Sequence, residues 1–125
     1  FMAVLTCAGH TVSGDHSIAN RRVASPRTMP VTSPIDGTSL GEIAAGDATA
    51  VAQAVAAARE AFPAWAALGP AGRGPILRRL ADLVERDVET LALVETTNNG
   101  SLLEAGRLRV MKRGAYNLRF FADLA

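Results

Sequence analysis

The side chains best equipped for nucleophilic or metal chemistry are gathered near the start of the sequence: Cys7, His10, Asp15 and His16. A thiol becomes a nucleophile when a base within hydrogen-bond reach takes its proton, so Cys7 with His10 or His16 is the pairing to test. Asp15 would add a hard donor for a metal ion. Their spacings lack the paired Cys/His pattern of a zinc site. The stretch also carries Gly9 and Gly14 and has no hydrophobic periodicity that would hold the donors rigid. The expectation is a surface thiol with two solvated imidazoles, in an irregular leader spanning residues 1–16.

Three further constellations have a structural reading beside a chemical one. Asp82, Glu85, Asp87 and Glu89 could supply paired carboxylates, but Arg78, Arg79 and Arg86 are interleaved with them at helical spacing, the pattern of a salt-bridged solvent face. Gly69 to Gly74, "GPAGRG", precedes a helical pattern, and helix starts attract anions. It follows no strand and lacks the lysine-hydroxyl ending of a nucleotide loop, so it reads as a turn and helix start. Arg107 to Arg113, "RLRVMKR", is basic, with Tyr116, Phe120 and Phe121 downstream. Cations interleaved with aromatics suit single-stranded nucleic acid, yet these aromatics fall at positions expected for a core stripe. No catalytic, cofactor-binding or metal-binding residue is assigned.

The elements that would position these groups are mostly helices. Ser17 to Ser25 reads as two short extended pieces around Asn20, a residue that tolerates turn conformations. "RTMPVTS" and "SLGEIAA" flank "PIDG", where Pro34 and Gly37 suit a tight reversal, so the flanks are expected to pair antiparallel. Asp47 is placed to cap a helix whose apolar face is Val51, Val55, Ala58 and Phe62, ending near Pro63. A second helix opens at Gly69-Pro70 with Ile76, Leu77, Leu80, Leu83, Val84 and Val88 on one face. A third runs from about Asp87 to Thr97 and stops at Asn98 to Gly100.

Ser101, with Glu104 as its reciprocal partner, is expected to cap one long final helix. That helix carries two apolar stripes: Leu108, Met111, Ala115, Leu118 and Ala122, then Val110, Gly114, Phe121 and Leu124. Two stripes need two partners, and the remaining helices offer one, so a packing layer is expected to be missing from the sequence.

Length and charge bound the alternatives. The 125 residues suffice for one domain. A formal net charge of +1 supplies no field for nucleic acid or an anionic membrane. A single cysteine cannot form an internal disulfide, which fits a reducing, cytoplasmic setting. "FMAVLTCAG" has neither the basic flank nor the length of a signal sequence, and no apolar run reaches the length of a membrane span. The sequence begins at Phe1 and ends at Ala125 inside a helical pattern, from which a piece of a longer protein is expected.

Taken in order, "PVTSPIDGTSLGEI", "GDATAVAQAVAAAREAFPAWAAL", "RGPILRRLADLVERDVETLALVETTNNGSLLEA" and "RFFADLA" resemble the amino-terminal part of the NAD(P)-dependent aldehyde dehydrogenase superfamily, from about Ile18 to Ala125. The resemblance implies an α/β parent fold. Residues 17–125 would form an incomplete amino-terminal part of its cofactor-binding domain, a small antiparallel hairpin region followed by about four helices. It further implies NAD or NADP as cofactor, an aldehyde as substrate, and a homodimeric or homotetrameric parent. The parent would oxidise the aldehyde to a carboxylic acid through a cysteine thioester. The family's nucleophile, base and cofactor loops lie downstream of Ala125, and Cys7 lacks the nucleophile's context.

This chain alone is therefore expected to be inactive and to bind no cofactor. "TNNGSLL" departs from the Asp-x-Gly-Lys-Pro corner of many relatives. "RVMKRGAY" lacks the acid through which some relatives hold a monovalent cation. The alternative is a non-catalytic helical interaction module derived from the same scaffold. A nucleic-acid binder is the third reading.

Overall fold

The computed structural model describes residues 2–124. The chain divides into two compact units, Phe1–Pro63 and Ala64–Ala125.

All six described strands lie in the first unit. β1 (Val4–Cys7) and β2 (His10–Ser13) form an antiparallel hairpin in which Cys7 pairs with His10. β3 (His16–Ile18) and β4 (Arg21–Val23) form a second, separate hairpin. β5 (Thr28–Thr32) pairs antiparallel with β6 (Ser39–Ala44), and the larger sheet has the order β2-β1-β6-β5.

The turn expected at Pro34 to Gly37 is present: the Gly37 amide donates to the Ser33 carbonyl over 2.8 Å, and the Ser33 amide to that of Thr38 over 2.8 Å. Asn20 turns the β3–β4 hairpin with φ of 60°, preceded by Ala19 at 50°. Such paired positive dihedrals match the twist of a two-residue hairpin loop.

The irregular leader expected over residues 1–16 is not found. β1 alternates exposed and buried positions, and Ala3, Leu5 and Cys7 are buried, as are Leu40 and Ala44 of β6. Pairing against β6 organises a segment whose own four-residue alternation is too short to signal a strand.

α1 (Ala48–Ala67) contains the boundary between the two units. Its start is as expected, with the Ala50 amide donating to Asp47 Oδ1 over 2.9 Å. Its end is not. The helix passes through Pro63, which removes one donor from an otherwise alanine-rich ladder, and stops at Ala67. The helix break falls instead just before Gly69, where φ is +62°, a conformation that glycine adopts without strain. None of the α1 side chains is buried, and Phe62 is 64% exposed.

In the second unit α2 (Gly69–Arg86) packs against α5 (Lys112–Leu124), with α3 (Val88–Asn99) between them in sequence. α3 ends at Gly100 in the left-handed conformation, as the Asn-Asn-Gly stop requires. The large apolar residues expected to fill the α2 face do not dominate the contact. Gly74, Ala81, Ala115 and Ala122 are the buried positions, while Ile76 and Leu80 remain exposed. Small residues let two helix backbones approach closely, and the bulkier neighbours are left at the rim.

The capping pair of Ser101 and Glu104 is absent. The Ser101 amide donates to Asn99 Oδ1, and α4 (Leu103–Ala105) starts after Leu102 without a side-chain cap. The final helix is not one regular α-helix either. A π-helical segment, Gly106–Met111, separates α4 from α5. Gly106 is buried there against α3, where a Cβ would lie 3.3 Å from that of Ala92. The wider turn carries the backbone past this crossing.

Candidate functional site

The group around Cys7 does not assemble as a catalytic cluster. Cys7 is 1% exposed, which corrects the expected surface thiol: it sits on the inward face of β1 as a small apolar side chain. His10 is its cross-strand partner and half-exposed. Asp15 is buried and accepts from the Ala3 amide over 2.8 Å, so its carboxylate ties down the start of the hairpin. His16 belongs to the other sheet, with Nε2 buried and unpartnered beside a small recess that Asp47, Thr49 and Gln53 also line. Among the described residues no three His, Cys, Asp or Glu side chains converge as a metal site.

The carboxylate set is used in packing, and not in the manner the sequence suggested. Arg119 of α5 donates to Asp82 Oδ1 over 2.7 Å and to both Glu85 oxygens over 2.7 and 2.8 Å. Its hydrogen bonds to Glu85, then to Asp82, hold the Arg119 guanidinium above its usual pKa. Arg78 binds Asp123 at 2.6 Å, and Arg107 lies 2.7 Å from Glu89 Oε2. These ion pairs run between helices, not along α2. Arg86 alone of the α2 arginines pairs with a sequence neighbour, Asp87, whose carboxyl it holds below the usual range.

"GPAGRG" starts α2 directly after α1, so it lacks the strand–turn–helix setting in which a glycine loop cradles a dinucleotide. The residues there do not fit NAD. In the basic cluster, Arg107 is held by Glu89, and the Arg113 guanidinium lies 5.9 Å from the centre of the Tyr116 ring. Tyr116, Phe120 and Phe121, expected on core stripes, are exposed, with Phe120 and Phe121 in edge contact at 5.3 Å.

A further feature is apolar. On the final helix Ala115 and Ala122 are buried against α2, while Leu108 of the same stripe is exposed and Val110, Phe121 and Leu124 on the other stripe are 53%, 60% and 69% exposed. Between α2, α3, the π-helical segment and α5 lies an open groove of about 580 Å³, lined by Leu77, Val84, Leu91, Val110, Met111, Leu118 and Phe121 among others. The sequence supplied the stripe but not the groove, which depends on the close α2–α5 approach. Exposed apolar surfaces of this kind mark interaction sites.

The family model of the aldehyde dehydrogenase family matches residues 21–125. 5-carboxymethyl-2-hydroxymuconate semialdehyde dehydrogenase of Escherichia coli is 34% identical over 110 residues, which span 88% of this chain and 24% of that protein. Mitochondrial aldehyde dehydrogenase of Equus caballus is 44% identical over 104 residues, 81% of this chain and 21% of that protein. Among solved structures, PnpE in complex with nicotinamide adenine dinucleotide superposes with a TM-score of 0.85 at 41% identity, covering 89% of this chain and 23% of that one. Gamma-glutamyl-gamma-aminobutyraldehyde dehydrogenase of Burkholderia cenocepacia gives a TM-score of 0.84 at 34% identity, over 88% of this chain and 23% of that one.

The chain belongs to the aldehyde dehydrogenase family. It spans about a quarter of the length of these relatives. Among its described helices none is long and apolar enough to cross a membrane.

Proposed function

We propose that this chain is the amino-terminal scaffold portion of an NAD(P)-dependent aldehyde dehydrogenase, with residues 17–125 forming an incomplete part of the cofactor-binding domain. The complete protein would oxidise an aldehyde to a carboxylic acid through a cysteine thioester, as a cytoplasmic homodimer or homotetramer. In this reading the 125 residues contribute packing surface, and neither cofactor nor substrate binds to them alone. One observation carries the proposal: the open apolar groove with its exposed Val110, Phe121 and Leu124 lies on a chain that covers about a quarter of its relatives. The burial of Cys7 against β6 agrees with it, since an enzyme's nucleophile must be reached by substrate.

The purified chain is mixed with an aldehyde and either NAD or NADP, and reduced cofactor is followed by its absorbance. The expected result is no reduction and no heat of cofactor binding in calorimetry. Thiol-dependent formation of NADH or NADPH would refute the proposal.

The second reading, a non-catalytic helical interaction module, draws on the same exposed groove. The two diverge in the encoding DNA. An open frame continuing beyond Ala125 into a nucleotide-binding segment and a cysteine motif supports the enzyme portion, and an immediate stop codon supports the module. Nucleic-acid binding is disfavoured because Arg107 and Arg119 are already engaged by carboxylates.

A further inference from the structure

β1 and β2 precede the stretch matched by the family model, yet they are built into the amino-terminal sheet. β1 adds Leu5 and Cys7 to the buried apolar residues, with Ala3 just before it, against the β6 strand that carries Leu40 and Ala44. The join is shaped on both sides. Gly41 of β6 has φ of +125°, and a Cβ there would run into the Val4 carbonyl oxygen; a Cβ on Gly14 would run into that of Glu42. The Ala44 amide donates to the Gly14 carbonyl over 2.8 Å, and the Gly14 amide donates to Ala3 over 2.8 Å. The buried Asp15 carboxylate holds the Ala3 amide.

The fastening is nevertheless sparse. Leu5 and Gly41 form the cross-strand pair between β1 and β6, whereas β5 pairs with β6 along its whole length, from Thr28–Ala44 to Thr32–Ser39. An uncovered strand edge presents unpaired amides and carbonyls that accept another strand.

We infer that the β1–β2 hairpin is a detachable edge cap, a strand donated in cis that occupies the acceptor edge of β6 and opens before the β5–β6 pairing does. Opening uncovers the β6 edge together with the apolar positions beneath it, as a local unfolding event distinct from global unfolding. The site recognises an extended segment with an apolar residue at the Leu5 position and a close backbone approach opposite Gly41.

The test uses the full chain with Leu5→Lys, which places a charge at the buried anchor, and with Gly41→Val, which fills the space that Val4 occupies. Hydrogen exchange is read by mass spectrometry, and binding of a fluorescent peptide of residues 2–15 is measured for each form. Both variants are expected to lose exchange protection over residues 4–13 and 40–44 while keeping it in α2 and α5. The peptide is expected to bind the Leu5→Lys chain and restore protection over 40–44. It is expected not to bind the native chain, whose edge is occupied, or the Gly41→Val chain, whose edge is blocked. Unchanged protection in both variants, a peptide that restores nothing in Leu5→Lys, or equal binding to all three forms would each overturn the inference.

Discussion

Gly74 of α2 lies so close to α5 that a Cβ on it would come within 3.1 Å of the Ala122 carbonyl oxygen. That approach brings Ala81 and Ala115 to complete burial, and it determines how much of the larger α2 side chains is left at the rim. Gly74→Val places branched bulk against a backbone atom that cannot rotate away. Overpacking of this kind costs about 1–3 kcal/mol. The expected result is a lower urea midpoint, with α2 and α5 amides losing protection together. An unchanged midpoint would mean that the helices do not meet here.

Arg119 bridges Asp82 and Glu85, so its planar fork joins α5 to α2 at two carboxylates. Lysine keeps the charge but cannot engage both carboxylates in this geometry. Arg119→Lys is expected to lower the urea midpoint by less than Gly74→Val does, because the groups are exposed and solvent screens them. The difference from the native chain should shrink in about 1 M salt, where the screening length falls to about 3 Å. A salt-independent difference would point to packing of the arginine stem.

Asp47 couples the start of α1 to pH. The Ala50 amide is the main reason its carboxyl lies below the ordinary value of 3.8. A depressed carboxyl contributes stability that is complete above the ordinary value and is lost as pH falls through the lowered one. Helicity followed by circular dichroism is therefore expected to drop at acid pH. Asp47→Asn, which still accepts from the helix amides, should reduce the Asp47-dependent part of that drop. Asp47→Ala should lower helicity at neutral pH as well.

Cys7 is the single thiol of the chain and lies inside the β1–β6 join. Its reaction with a water-soluble disulfide reagent is expected to be slow in the native chain and complete in denaturant. It should also be fast in the Leu5→Lys variant. Rapid reaction of the native chain would return Cys7 to the surface.

Where local chemistry decides the backbone, the sequence was sufficient. Asn20, Gly37, Asp47 and Gly100 each act within a few residues of themselves, through a turn dihedral or a cap, and each was legible. The ordered motifs from the β5–β6 hairpin to "RFFADLA" also carried the family. The β1–β2 hairpin was missed because its loop, Ala8-Gly9 with φ of 48° and 82°, lacks the Asn-Gly or Asp-Gly signal, and because its order comes from β6. The partners of Asp82, Glu85 and Glu89 were missed for a related reason. Arg119 and Arg107 reach them from elements distant in sequence, while Arg78 and Arg86 stood at tempting helical spacing.

The π-helical segment was hidden as well. Nothing in "GRLRVM" announces a wider turn until α3 crosses at Ala92. The groove depends on that crossing and on the α2–α5 approach, so the stripes were legible while the surface they form was not.

The final helix presents an exposed apolar surface, which we propose a further structural layer covers. Fluorescence of a hydrophobic dye in the presence of the purified chain measures that surface directly. Strong binding that falls in Val110→Gln and Phe121→Gln, with circular dichroism unchanged, is the predicted result. A chain that melts sharply as a compact monomer and leaves the dye dark would contradict it.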